Sequence, residues 1–260
     1  AIGLAVYTWH SLRRGAASII DVRLFGNRLF ASGTVAVFLV AIALFGGMLL
    51  LPLYYQTVRG QGALNAGLLL APQGLGAMVA MVVAGRLTDR IGAGYVVPVG
   101  VVLAVVGTLP FTQLGIDTSY AWLCVALFVR GMGLGSVMMP TFAAAYSNLG
   151  SDSVSRAAPS LSAIQQVGAS LGTALLVTAL TQRLTNQLTS AGLESQGGGT
   201  DQMSGVPPEA MPIVGPLLAD SFGFAFWIAT ALTALIIIPA FFLPRHAARD
   251  GEKVPTVVGG

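Results

Sequence analysis

Leu29-Phe-Ala-Ser-Gly-Thr-Val-Ala-Val-Phe-Leu-Val-Ala-Ile-Ala-Leu-Phe-Gly-Gly-Met-Leu-Leu-Leu-Pro-Leu-Tyr-Tyr-Gln-Thr-Val58 runs from Arg28 to Arg59 without a charged residue. A bilayer's hydrocarbon core takes about 20 apolar residues to cross as a helix, so this run is long enough. A spanning strand needs only about 10 and alternates apolar with polar positions. This run does neither. The same test succeeds along the rest of the chain. No charge lies between Arg59 and Arg86, Arg90 and Asp117, Arg156 and Arg183, or Asp220 and Arg245. The stretch from Thr118 to Ser151 is broken only by Arg130. The pattern predicts six membrane helices, at about 29–54, 64–85, 94–115, 120–145, 158–181 and 222–243.

Composition agrees. Of 260 residues, 55% are hydrophobic and 9% charged, and the mean hydropathy is +0.79. Globular proteins carry roughly 25% charged residues. So few charges cannot cover a water-facing surface, which excludes a disordered chain, a nucleic-acid binder and a secreted disulfide scaffold. The single cysteine, Cys124, allows no disulfide or multi-cysteine metal site within the chain. The sequence is that of an all-α integral membrane protein.

Lys and Arg in short loops set the orientation. Arg13, Arg14, Arg23 and Arg28 precede the first span, and Arg86, Arg90, Arg156, Arg245, Arg249 and Lys253 fall on the same side. The other side holds Arg59 and Arg183. The richer side is expected to be cytoplasmic, which accounts for the net charge of +3 without a polyanion partner. Residues 1–28 read as the end of a preceding membrane helix and a cytoplasmic linker. Residues 29–243 read as the six-helix unit, and 244–260 as a cytoplasmic tail. Nine apolar residues followed by Arg13 and Arg14 do not make a secretory leader, and an upstream part is expected. Within the unit, 182–221 contains Gln196-Gly-Gly-Gly-Thr-Asp-Gln-Met-Ser-Gly-Val-Pro-Pro208 and reads as a flexible outer loop, either a passive linker or a gate.

Several spans hold residues that lipid-facing helices avoid. Pro52, Pro72, Pro98, Pro110, Pro140, Pro159 and Pro239 lie in or near them. The glycines of Gly74-Leu-Gly76, Gly131-Met-Gly133-Leu-Gly135 and Gly168-Ala-Ser-Leu-Gly172 permit close helix approach, and also bending. Arg130 stands mid-span, where an arginine costs about 2.5–3.5 kcal/mol even on the lenient insertion scale. It either faces a pathway or bonds backbone carbonyls of a neighbouring helix. Gln73, Gln165 and Gln166 are candidate cavity polars or interhelical hydrogen-bond formers. Tyr54 and Tyr55 close the first span, where an interfacial aromatic belt explains them. Met138 and Met139 fit a core or a promiscuous wall. No span has Asp or Glu near its centre, and His10 and His246 lie outside the spans, so an intramembrane proton carrier is expected elsewhere. No GxxxxGK[ST] or HExxH occurs, and no cofactor or metal is expected.

At the second loop of the cytoplasmic side the chain reads Gly85-Arg-Leu-Thr-Asp89-Arg90-Ile-Gly92-Ala-Gly94. It resembles the G-x-L-x-D-R-x-G-R-[RK] loop of the major facilitator superfamily. Leu51-Pro-Leu-Tyr-Tyr-Gln56, Ala66-Gly-Leu-Leu-Leu-Ala-Pro72-Gln-Gly-Leu-Gly76 and Arg130-Gly-Met-Gly-Leu-Gly135 are similar to the C-terminal half of its fourteen-helix drug/proton antiporters, the EmrB/QacA type. Ile20-Asp-Val-Arg-Leu-Phe25 is similar to the start of that group's ninth helix. Two departures stand out: Ala93-Gly94 replaces the loop's basic pair, and Gln165-Gln166 replaces an Arg-Gln of many relatives.

The resemblance implies a six-helix bundle forming one half of a secondary transporter in the inner (cytoplasmic) membrane. It would rock against an N-terminal half and export amphipathic, often cationic compounds in exchange for protons. It further implies that Gly85, Asp89, Arg90 and Gly92 form a cytoplasmic latch, Asp89 meeting a helix N-terminus and arginines of the other half. Asp89 and Arg90 solvating a tight turn is the plainer alternative. Arg130 resembles the family's fourth-helix arginine, which in the first half is associated with proton transfer. The expected partners are that other half, the bilayer and a small-molecule substrate. A facilitator or symporter of a small metabolite is the second reading. A membrane scaffold or embedded enzyme is a third, against which stands the absence of a cluster of acids, histidines or metal ligands at one face.

Overall fold

The computed structural model describes residues 28–146, 151–192 and 211–243. The expected preceding helix end and linker, but for Arg28, and the tail at 244–260 lie outside the described residues. Six long helices follow in order: α1 Arg28–Thr57, α2 Ala63–Ile91, α3 Ala93–Thr108, α4 Tyr120–Tyr146, α5 Ser151–Ser190 and α6 Met211–Leu235. A 3₁₀ turn at Leu109–Gln113 extends α3, and a short α7, Ile237–Ala240, follows α6 after a break at Ile236. All six long helical segments are long and apolar enough to cross a bilayer. The chain is a multi-pass membrane protein whose described residues form a six-helix bundle.

Two boundaries differ from the reading by charge. α5 continues to Ser190 and α6 begins at Met211, so helix occupies both ends of the stretch 182–221 read as a loop. Only its Gly-rich middle lies outside the described residues. The cause is visible in the packing. Leu180, Leu184 and Leu188 repeat every four residues along α5 and meet Val214 and Leu218 of α6. Arg183 and Asp220, which bounded the uncharged runs, pair with each other at 3.2 Å instead of marking helix ends. A bundle whose helices protrude past the apolar core can carry such charges on its helical ends.

Sequence neighbours are not the only neighbours in space. α1 runs along α5, α2 along α4, and α3 along α4, while α6 lies against α1, α3 and α5. Exchanging the first three helices for the last three maps the α2–α4 pair onto α5–α1 and the α3–α4 pair onto α6–α1. The main contacts of α1–α3 and of α4–α6 therefore follow one pattern.

Glycine sets the closeness of these contacts. In α4, Gly131 and Gly135 are four residues apart and share one face, and Gly133 lies opposite at 100° per residue. A Cβ at Gly131 would overlap the Gln73 carbonyl, and one at Gly135 would crowd Ala77, both on α2. At Gly133 it would overlap the Ala104 backbone on α3. The alternating glycines therefore let two helices press on α4 from opposite sides. Gly168 and Gly172 do the same for α5 against Phe38 and Ile42 of α1. Without apolar driving force between helices in lipid, such van der Waals contact is a main source of association.

The core divides along the bundle axis. Tyr54, Tyr55, Phe111, Leu123, Leu127, Phe222 and Phe226 fill the end near Arg59. Val97, Val101, Val137, Ile236 and Ala240 fill the end toward Asp89. Tyr54 and Tyr55 are fully buried, not an interfacial belt. The α3–α4 connection and α6 close over them, with Tyr54 donating to the Gly115 carbonyl at 2.8 Å and meeting Phe222 edge-on at 5.7 Å.

The same substitution should have opposite effects at two glycines. A Cβ at Gly74 meets nothing within 4 Å, so Gly74→Ala should be neutral or stabilising by up to ~1 kcal/mol through helix propensity. Gly133→Ala should destabilise by about 1–3 kcal/mol through overpacking against α3. Thermal unfolding of the detergent-purified protein measures both, and a shift of the same sign at the two sites would contradict this packing.

Candidate functional site

Arg130 is placed by the α4 glycine run that follows it. It is 2% exposed, at the level between the aromatic core and the aliphatic one. Its Nη1 donates to Gln73 Oε1 of α2 at 2.8 Å, and its Nη2 makes a longer contact of 3.4 Å to the Ala43 carbonyl of α1. The surrounding helices make room by lacking side chains. A Cβ at Gly47 would overlap the guanidinium, and one at Gly107 of α3 would overlap the Arg130 backbone. Among the described residues no carboxylate pairs with it. The arrangement holds a buried positive charge by neutral oxygens drawn from two helices, which satisfies donors while leaving the charge itself uncompensated.

Gln73 is therefore half-buried and turned to Arg130 as an acceptor. Gln165 and Gln166 are not brought to that pair. Gln165 is half-buried on α5, and Gln166 is exposed and lines a groove of about 570 Å³ between α1 and α5. Phe45, Leu49, Ser170, Thr173 and Val177 also face it, and no charged residue does. Ser170 and Thr173 follow Gln166 at helical spacing and form a neutral polar stripe, a signal present in the sequence but masked by its modest polarity.

At the Asp89 end, α2 stops where Gly92 adopts φ 88°, ψ 154°, with its N–H donating to the Thr88 carbonyl at 2.8 Å. A side chain there would be strained, so glycine is what allows α3 to begin at the next residue. Asp89 and Arg90 are exposed. Gly85 and Asp89 border a groove of about 460 Å³ with Met139, Pro140, Phe142 and Tyr146 of α4. Met139 is thus a groove residue, not core.

The opposite end holds a polar cluster that the sequence pattern does not single out. Arg59 Nε donates to the Tyr120 hydroxyl at 3.1 Å, its guanidinium carbon lies 4.3 Å from the Tyr120 ring centroid, and Nη1 donates to the Ile116 carbonyl. Gln61 donates to the same hydroxyl at 2.9 Å. Asp220 accepts from Arg183 and Gln187, and Ser221 donates to Gln187 at 3.1 Å. The placement of Arg59 and Arg183 as the lone basic residues at that end is the signal that could have found it.

A sequence profile of the Major Facilitator Superfamily matches residues 8–173. The chain belongs to this superfamily. Its members are transporters, not enzymes. A multidrug resistance protein B homolog of Mycobacterium tuberculosis is 35% identical over 259 residues, covering 94% of this chain and 48% of that protein. Lincomycin resistance protein LmrB of Listeria monocytogenes is 29% identical over 202 residues, covering 78% of this chain and 42% of that protein. The crystal structure of the E. coli fucose:proton symporter FucP superposes with a TM-score of 0.59 at 20% identity, over 84% of this chain and 49% of that one. That likeness shows the fold. The chain spans about half the length of the curated superfamily relatives it matches.

Gln73→Leu should destabilise the bundle by about 2 kcal/mol, because a hydrogen bond to a charged group is lost while the guanidinium stays buried. Arg130→Met should remove most of that penalty when the two are combined. A double-mutant cycle on thermal unfolding tests this, and additive effects would mean that the two side chains do not interact.

Proposed function

We propose that these six helices form one wall of a secondary transporter that exports amphipathic compounds, working by alternating access against a second six-helix half. The observation that carries the reading is the α1–α5 groove. Its volume falls within the roughly 300–1,000 Å³ of small-molecule sites, and its lining pairs an aromatic and aliphatic floor with a few neutral polar groups. Such a wall accepts apolar bodies of varied shape without fixing a charge. The names of the resistance relatives support the direction of transport, and proton exchange is the coupling this reading adopts.

On this reading the Asp89 end is cytoplasmic, following the bias of Lys and Arg, and the membrane is the inner one. Asp89 and Arg90 serve as the latch. A carboxylate beside a helix N-terminus is stabilising by roughly 0.3–1 kcal/mol, enough to bias two states without freezing either. The groove bordered by Asp89 and α4 leaves space for a helix end of the other half. Arg130, tied to α1 and α2, couples the wall helices near the pathway. Gln166 is the substrate-facing glutamine of this half, and Gln73 and Gln165 are further candidate cavity polars.

Efflux of a fluorescent dye by the full-length transporter in everted vesicles tests this directly. Gradient-dependent pumping is expected. Pumping that survives collapse of the proton gradient, or failure with every tested cation, would favour the metabolite facilitator.

Asp89→Asn should cut the pumping rate severalfold with membrane insertion unchanged, and Arg130→Ala should abolish pumping at retained expression. Wild-type pumping by both would remove these two assignments.

A further inference from the structure

The groove at the Asp89 end differs in chemistry from the one between α1 and α5, whose lining holds no charge. Asp89 borders it, and its side chain makes no ion pair or hydrogen bond among the described residues. Thr88, on the same wall, turns its hydroxyl back to the Ala84 carbonyl at 2.7 Å. The carboxylate is thus the polar group that this wall keeps for an occupant. Gly85, one turn earlier on α2, adds no side chain, and a Cβ there would meet nothing within 4 Å.

The facing wall comes from one side of α4, since Met139, Phe142 and Tyr146 follow one another at spacings of three and four. Phe142 and Tyr146 are half-buried against the cluster of Phe30, Ala145 and Leu161, which holds their rings in place while each still lines the groove. Met139, 58% exposed, adds a polarisable thioether that adapts to varied shapes. The volume of about 460 Å³ is that of a small-molecule site. An aromatic wall opposite one carboxylate matches a bulky organic cation. The carboxylate attracts the charge, and a ring face attracts it again through its quadrupole. Arg86 and Arg90 flank Asp89 along α2, but neither lines the groove or pairs with it. Their charges weaken the pull on a bare inorganic ion, so binding depends on apolar and aromatic contact as well. That favours a cation carrying a large apolar body over sodium or potassium.

We propose that the groove between Asp89 and the Phe142–Tyr146 face of α4 binds amphipathic organic cations. Resting on the export reading above, it is where such compounds first land at the cytoplasmic mouth. Asp89 serves the cation and the helix end of the other half in turn.

De-energised everted vesicles carrying the full-length transporter are photolysed with an azidobenzyl triphenylphosphonium salt or with its uncharged phosphine oxide counterpart. Mass spectrometry follows the label on residues 139–146. The cation should label this stretch in a saturable way. The quantity compared between variants is the cation-to-neutral ratio of that label, from which changes in access cancel. Asp89→Asn should lower the ratio about threefold, the size of one exposed ion pair, and Asp89→Glu should keep it. Phe142→Leu should lower it by about the same factor through the lost ring face. A latch that has merely loosened would open the groove to both probes alike and leave the ratio unchanged. Absence of saturable label on 139–146 overturns the proposal, as does a ratio unchanged by Asp89→Asn or by Phe142→Leu, or one lost equally in Asp89→Glu. Export of the same cation by energised vesicles separates the two readings. Export without the label removes the site and leaves the export reading standing, and a charge-dependent label without export does the reverse.

Discussion

The approach of helix backbones around one buried guanidinium governs the rest of the bundle. Arg130 can sit at mid-span only because Gly47 and Gly107 carry no side chain where it and its backbone lie. Gln73 and the Ala43 carbonyl then supply oxygens from α2 and α1. In lipid no water is available to satisfy a polar group left unpaired, so these contacts are constraints on the positions of three helices. The glycines that follow in α4 carry the same closeness toward the Asp89 end. An alternative packing would have to find partners for the charge and room for the backbones at once.

That arrangement separates two regions with different work to do. Toward Arg59 the core is aromatic, and side chains from different helices cross-link it through Tyr120, Asp220 and Gly115. Toward Asp89 the core is built of Val, Ala and Ile, with a groove between α2 and α4. The grooves lie where small residues leave space between helices that elsewhere touch. Close packing and cavities thus have one origin in the distribution of side-chain size.

Much of this is legible in the chain itself. The uncharged runs yield six helices because the bilayer tolerates few alternatives, and Gly85 to Gly94 marks the turn that Gly92 makes with its positive φ. Arg130 stands out because an arginine amid apolar residues has no cheap resting place. Where linear position misleads, it does so for one reason. Arg183 and Asp220 look like helix boundaries, and Tyr54 and Tyr55 like belt residues, when surroundings are inferred from neighbours along the chain. Which tertiary partner each finds, a counter-charge on another helix or a covering turn, has no local signature.

The sequence by itself determined that the described residues are helical, that they lie in a membrane, and that they hold six spans, because hydrophobic length and charge placement act residue by residue through a uniform solvent. Tertiary structure alone decided that α1 pairs with α5 and α2 with α4. It alone turned Gln73 toward Arg130, separated it from Gln166, and left the Tyr55 hydroxyl without a hydrogen-bond partner among the described residues. Those outcomes depend on where two side chains far apart in the chain come to rest, and such distances are set only when the helices have packed.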